Sequence, residues 1–372
     1  MLSVCFTEAD QGDSLLVSSV KFSIMLGVLR GLYCNPTILP YLTISPQASN
    51  LVEIMDVFSG SKFEKFSHQR FMKNKKKYKI FDYITILPQY LIPHHPLSRL
   101  VNKLTRLRWS LWKNFLIRIF IRYYRIDLKD ALCPEIESYP DFNSFFTRSL
   151  RTEARPIVNE PNSVISPVDA IVSAAGMIFN QTLFQAKGRQ YCLETLLGGE
   201  NHRTTRFMGG SFITLYLSPR DYHRIHMPVT GRLREMVHIP GRLFAVNNSA
   251  ANVVPELFAR NERVIAIFDT VVGPMALILV GALFVGSIET IWAGEITPPT
   301  REGQKAWTYP DIGTGSIILG KGTEMGRFNM GSTVIILFGT GAVAWEKSVT
   351  TGKFFRMGEK LGTQSGILHH GA

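Results

Sequence analysis

Residues 321–338 read KGTEMGRFNMGSTVIILF. From Thr333 to Phe338 every residue is β-branched, aliphatic or aromatic, and none is charged. A run that short, entered through Gly331 and Ser332, predicts a strongly apolar strand rather than a helix. Runs of the same texture recur at 170–174, 211–217, 264–270, 275–280, 283–288 and 316–319, punctuated by Gly and Pro. That rhythm predicts a β-rich domain over 156–372, with no repeat of fixed period.

The chain upstream has a different character. At 372 residues, 45% hydrophobic and 19% charged, the protein as a whole has the composition of a folded chain with ample core. Its net charge of +12 is concentrated, because 16 Lys or Arg face only Glu64 and Asp82 between Lys62 and Ile126. Such a stretch seeks an anionic surface, either nucleic acid or a phospholipid leaflet. Within 99–125, Val101, Leu104, Leu111, Trp112, Phe115, Leu116, Ile119, Phe120 and Tyr123 recur at spacings of three and four, which predicts a helix. The same segment holds eight Lys or Arg and no acid. That bias favours a helix lying in a membrane interface over a core helix with a solvated basic face. The expected architecture is α+β. An N-terminal extension (1–80) ends in the basic run 73–77, with Met72 before that run as an alternative translation start. A helical membrane-associating region (81–155) and the β-rich catalytic domain (156–372) follow.

Several familiar signatures fail. Residues 315–321 approach a phosphate-binding P-loop, but Gly322 stands where Ser or Thr must meet magnesium, so a strand and a turn are expected there. No serine lies in a GxSxG elbow, and no HExxH is present. His223 and His226 stand three apart without the third ligand that a catalytic zinc requires, so no metal is expected. His369 and His370 sit in a polar tail with no assigned role. Cys5, Cys34, Cys133 and Cys192 are scattered, as expected of reduced and mostly buried thiols. The run 14–29 follows Glu8, Asp10 and Asp13 and contains Lys21, unlike a secretory signal. The uncharged run 270–288 is long enough to span a membrane. Its Pro274 and its glycines instead suggest two buried strands parted at Gly281.

What remains is a His, an Asp and a Gly-Ser bond in three separate segments. SPRDYHRIHMP (218–228) packs two histidines and two arginines into a loop after a strand. SPVDA (166–170) holds Asp169 just before another strand. NMGST (329–333) leads into the apolar strand above. Alone, none is decisive: Gly-Ser occurs five times in this chain, and Asp after Pro is ordinarily a turn former.

Together with FAVN (244–247), LFARNERV (257–264), VGSIETIWAG (285–294) and KGTEMGRFNMGST (321–333), these segments resemble the bacterial-type, pyruvoyl-dependent phosphatidylserine decarboxylases. The likeness runs in order from about Phe81 to near the end. Two departures stand out: Met330 where the family has Leu, and Ala170 where it has Gly after the aspartate.

The resemblance implies a proenzyme that cuts itself between Gly331 and Ser332 into a large beta chain and a small alpha chain, which remain associated. It implies that Ser332 attacks the Gly331 carbonyl and ends as a covalent pyruvoyl group. His226 would serve as base, Asp169 would fix its tautomer, and His223 would return a proton after decarboxylation. A serine hydroxyl is a weak nucleophile that needs such a base, and a carbanion left by decarboxylation needs an electron sink that no standard side chain supplies. The resemblance further implies that a Schiff base forms between the pyruvoyl and phosphatidylserine, giving phosphatidylethanolamine and CO2. The expected setting is the cytoplasmic side of the cell membrane, with peripheral attachment to an anionic surface, no nucleic-acid partner, and a homodimer allowed. Rival readings are another pyruvoyl decarboxylase, a serine hydrolase built on Asp169, His226 and Ser332, and a basic membrane- or nucleic-acid-binding protein without activity.

Overall fold

In the computed structural model, the described residues are 80–179, 181–184, 190–283, 287–296, 303–329 and 332–365, excluding the side chains of 80–85, Phe184, Asn248 and Ser332. The expected extension, apart from Ile80, lies outside them, as do His369 and His370. The chain divides into two units between Thr85 and Ile86.

Three helices come first: α1 (Ile80–Leu91), α2 (His94–Thr105) and α3 (Ser110–Tyr124). The one helix expected over 99–125 is therefore two. The cause is local. Trp109 is extended at ψ 115°, and Trp112 Nε1 donates to the Leu104 carbonyl at 3.0 Å, closing the end of α2. His94 anchors α2 by accepting the Leu243 amide at 3.1 Å, while its other ring nitrogen lies 2.6 Å from the Gln89 carbonyl. α3 buries Leu116, Ile117 and Phe120. Phe120 meets the rings of Phe142, Phe145 and Phe146 in α4 (Phe142–Phe146), with centroids 5.1, 6.2 and 5.9 Å away. Asp141 caps α4 by accepting the Ser144 amide at 2.8 Å. Leu100, Leu107, Trp109, Leu111 and Phe115 remain exposed, Trp109 by 64% and Leu111 by 73%. No described helix is long and apolar enough to cross a membrane.

The strands follow as β1 (Ser163–Ile165), β2 (Ala170–Met177), β3 (Thr182–Phe184), β4 (Gln190–Cys192), β5 (Ser211–Leu217), β6 (Arg224–His226) and β7 (Gly231–Ile239). β8 (Arg263–Thr270), β9 (Gly273–Gly281), β10 (Ile288–Thr290), β11 (Gly294–Glu295), β12 (Lys305–Thr308) and β13 (Ile318–Leu319) come next. The last five are β14 (Glu324–Phe328), β15 (Ser332–Phe338), β16 (Val343–Trp345), β17 (Phe354–Phe355) and β18 (Lys360–Gln364). The result is a β-rich C-terminal region preceded by a few helices. Nine strands form one antiparallel sheet in the order β12-β7-β8-β9-β15-β5-β2-β17, with β13 also on β7. A smaller sheet runs β11-β10-β14-β6, and a third runs β1-β18-β16.

Both faces of the large sheet are covered, which is why its central strands read as unbroken apolar runs. Val334, Ile336 and Phe338 of β15 point into one core with Ile225, Ile288, Met325 and Phe328 of the small sheet. Ile335 and Leu337 point into a second core beneath α5 (Leu193–Leu196), α6 (Asn248–Val253) and α7 (Leu257–Arg260). Each such Ile, Leu or Val contributes about 1.5–3 kcal/mol on burial.

The run 270–288 divides near Gly281 as expected, but only β9 matches its expected span. Leu283 is a turn residue, 284–286 lie outside the described residues, and the next strand starts at Ile288. The near P-loop is indeed strand then turn: β13 ends at Leu319, and Lys321 Nζ bonds the Val158 and Glu160 carbonyls and Ser163 Oγ. Of the cysteines, Cys133 is exposed rather than buried and Cys192 is half-buried, both as free thiols.

Candidate active site at one end of the large sheet

Strand register assembles the three singled-out segments. Ser332, the first residue of β15, lies opposite Leu217 at the end of β5 and Gly281 at the end of β9. Tyr216 pairs with Ile171, so one step further Leu217 lies beside Ala170, which pairs with Phe355. Ser332, Leu217, Ala170 and Phe355 thus form a row across four strands. At about 4.8 Å between neighbours, the backbones of Ser332 and Ala170 are roughly 10 Å apart. Asp169 precedes that row on β2, the loop 218–223 leaves it from β5, and Arg356 and Met357 leave it from β17. Met330, Gly331 and the Ser332 side chain lie outside the described residues.

Asp169 is buried and fully engaged. Arg155 Nε lies 2.9 and 3.1 Å from its two oxygens, Arg155 Nη2 donates to Oδ2 at 2.5 Å, and the Met357 amide donates to Oδ1 at 2.8 Å. Arg155 also donates to Asp130 at 2.8 Å. A bidentate, buried pair of this kind fixes both partners.

His226, at the end of β6, is held by different groups. Its Nδ1 lies 2.8 Å from the Gly322 carbonyl and its Nε2 lies 3.0 Å from the Tyr222 hydroxyl. A carbonyl only accepts, so Nδ1 carries the proton and Nε2 presents a lone pair. Gly322 has φ +81°, and a Cβ there would strike Ile157. The residue that spoils the P-loop is thus the one that orients this imidazole. Burial lowers the His226 pKa against the opposing pull of the Gly322 bond, Glu324 and, more weakly, Asp169. The His226 amide donates to the Pro167 carbonyl at 2.9 Å, so the His226 and Asp169 segments adjoin. Their side chains bond other partners, not each other, among the described residues.

His223 is fully buried against the Phe146 ring, with centroids 4.1 Å apart. Its Nδ1 donates to the Asp221 carbonyl at 2.8 Å, and its Nε2 is buried with no partner among the described residues. Burial drives its pKa down to about 3, so it is neutral near pH 7 with a free lone pair at Nε2. The His223 carbonyl accepts the Phe328 amide at 3.0 Å. The next residue, Asn329, is pinned on three sides. Its amide donates to Ser287 O at 2.9 Å, its Nδ2 to Ser287 Oγ at 2.6 Å, and its Oδ1 accepts from Asn143 Nδ2 at 3.0 Å. The segment entering 330–331 therefore leaves the small sheet from a fixed point and re-enters the large one at Ser332.

A cleft of about 320 Å³ opens beside this row, lined by Arg148, Arg155, Asp169, Asp221, Tyr222 and Phe354 among others. Among the described residues, no cluster of His, Cys, Asp and Glu has the makings of a metal site.

Residues 142–363 match the family model described as phosphatidylserine decarboxylase. The chain belongs to the phosphatidylserine decarboxylase family. A second family model, described as PSD, matches residues 84–125. The phosphatidylserine decarboxylase proenzyme of Ectopseudomonas mendocina is 51% identical over 277 residues, covering 74% of this chain and 96% of that protein. The protein of that name from Methylococcus capsulatus is 51% identical over 275 residues, 74% and 94% of the two chains. That from Azotobacter vinelandii is 48% identical over 284 residues, 76% and 99% of the two. For a phosphatidylserine decarboxylase, Ala170 in place of Gly is accommodated here. It is fully buried at the start of β2 and is not among the positive-φ residues. Sequence reasoning assigned no role to Arg155, Tyr222, Gly322 or Asn329. Tyr222 lay within a quoted segment, but its partner became visible only once β6 was placed.

Proposed function

We propose that this chain is a phosphatidylserine decarboxylase proenzyme, converting phosphatidylserine to phosphatidylethanolamine and CO2 after cutting itself between Gly331 and Ser332. One observation carries the reading: antiparallel register sets the start of β15, the end of β5 and the start of β2 side by side.

In this reading Ser332 attacks the Gly331 carbonyl, its proton passing to His226 Nε2. The lone pair there accepts from Tyr222, so the attack requires His226 to exchange that hydroxyl for the serine's. Gly322 O holds the tautomer, and the Asp169 charge, locked in place by Arg155, favours the imidazolium from a distance. Elimination and hydrolysis then release the Ser332 nitrogen as ammonia, leaving the pyruvoyl at the head of β15.

A buried imidazole with an unpartnered nitrogen at this sheet end suits such a group. When present, the pyruvoyl carbonyl supplies an electron sink for the charge left by departing CO2. In this reading His223 Nε2 relays to the α-carbon the proton that replaces CO2. Phe146, packed on the ring, keeps water from that nitrogen.

Attachment would be peripheral, on an anionic leaflet. Trp109 and Leu111 supply apolar anchors, and Arg99, Lys103, Arg108 and Arg122 are exposed in the same helical segment. The two chains made by the cut would stay together through β15.

Intact-mass analysis of purified protein tests the reading. The wild type should give one piece ending at Gly331 and one beginning at residue 332 with a blocked end, and Ser332→Ala should remain whole. A variant that splits normally refutes Ser332 as the nucleophile.

A further inference from the structure

Arg148 follows α4 and is only 7% exposed, yet no carboxylate among the described residues lies within 4.0 Å of its guanidinium. Its Nη2 donates to the Arg220 carbonyl at 3.3 Å, its Cζ stands 5.5 Å from the Phe145 ring centroid, and its Nε is buried without an acceptor among the described residues. A guanidinium offers five N–H donors, and a buried charge with no counter-ion is costly. Arg155, on the same cleft, has two carboxylates and a carbonyl.

The acids around Arg148 are otherwise occupied. Arg155 holds Asp130 and Asp169, Lys129 faces Asp127, and the Ser218 amide donates to Asp221 at 2.7 Å. Burial also pushes Asp221 up to about 6, which weakens it as a counter-charge. Arg125, Arg220 and Arg356 line the cleft as well, beside Asp169 and Tyr222. The cleft is thus short of one anion, close to the reacting segments.

Phosphatidylserine carries two anionic groups. A guanidinium on the departing carboxylate would stabilise the charge that the reaction must remove, and so raise the barrier. The phosphodiester keeps its charge from start to finish. Binding it orients the headgroup without opposing the chemical step, and its oxygens suit the planar fork of an arginine. We infer, on the decarboxylase reading above, that Arg148 binds the phosphodiester of the substrate headgroup and thereby selects phosphoserine lipids over free serine.

Calorimetric binding to the full-length processed protein tests this with three probes. Glycerophosphoethanolamine has the phosphodiester but neither carboxylate nor acyl chains. O-methyl-L-serine has the amine and carboxylate but no phosphate, and inorganic phosphate is the third. Arg148→Gln should weaken glycerophosphoethanolamine at least tenfold and leave O-methyl-L-serine within about twofold. It should raise KM for a short-chain phosphatidylserine more than it lowers kcat, and Arg148→Lys should recover part of the loss. Unchanged affinity for glycerophosphoethanolamine in Arg148→Gln overturns the inference. So does a loss confined to O-methyl-L-serine, or a wild type that binds inorganic phosphate alone. Should Arg148→Gln stay uncut, the uncut Ser332→Ala protein is its reference, and equal affinity of the two overturns the inference. A wild type that binds glycerophosphoethanolamine yet fails to decarboxylate phosphatidylserine refutes the decarboxylase reading and leaves the anion site standing.

Discussion

In α2, α3 and the joint between them, Leu100, Leu107, Trp109, Leu111 and Phe115 stand in water, whereas at the end of the large sheet Asp169, Asp221, His223 and Arg148 are buried. Each arrangement is costly. A large apolar side chain left exposed forgoes about 1.5–3 kcal/mol, and an unpaired buried ion costs several kcal/mol. The sheet end offsets most of its cost internally. Asp169 has Arg155 and the Met357 amide, Asp221 has the Ser218 amide, and His223 stays neutral. Of that group, Arg148 Nε and His223 Nε2 are left without partners among the described residues. Those five apolar side chains keep 44–73% of their surface exposed; an apolar phase with an anionic rim would cover them. On the proposals above, a surface would complete one region and a small molecule the other.

That contrast is open to direct attack. The largest effect belongs to the buried side. His223→Ala should self-cleave to completion while kcat falls by about 10²–10⁴-fold, the usual worth of a positioned acid or base. Normal CO2 release from short-chain phosphatidylserine would strip His223 of its role.

Acid should then loosen the same region. An unfolded imidazole takes a proton below about pH 6.5, but the folded His223 resists until about 3 and His94, also buried, until about 4. The unfolded chain binds the extra protons, so stability present at pH 7 is lost as the pH falls below 6.5, by about 1.4 kcal/mol per pH unit per group. Between pH 7 and 5 the urea midpoint of uncut Ser332→Ala protein should drop by the equivalent of about 2 kcal/mol for each histidine. A flat midpoint over that range would mean that both rings titrate freely.

The smallest effect tests the exposed side. Replacing Trp109 and Leu111 together by Glu should reduce partition onto anionic phospholipid vesicles at least about tenfold, with self-cleavage unaltered. Partition equal to wild type would leave the exposed apolar side chains without an occupant.

Much of the sheet was legible because burial on both faces writes itself into consecutive residues. The run 211–217 coincides with β5, and 264–270 and 333–338 each miss one residue of β8 and β15. The helix break was hidden because Trp112 fits the apolar stripe; its indole bond to Leu104 is a matter of geometry, not of spacing. Within the site, the segments holding His223, His226 and Asp169 could be picked out, but their partners could not. The Asn143 to Asn329 bond joins residues 186 positions apart, and Arg155 meets Asp169 only because β2 and the segment before β1 fold together. Such pairings leave no local periodicity to read.

β15 lies between β9 and β5, bonded along both edges, and the strands after it reach β1 and β2. Severing the chain ahead of Ser332 would leave the shorter piece threaded through the longer one. Assembly would then happen once, while the two are still covalently joined. Afterwards every complete unfolding would turn the return journey into a bimolecular search, so the working lifetime of the cut protein would be set by how slowly that interior strand is pulled free.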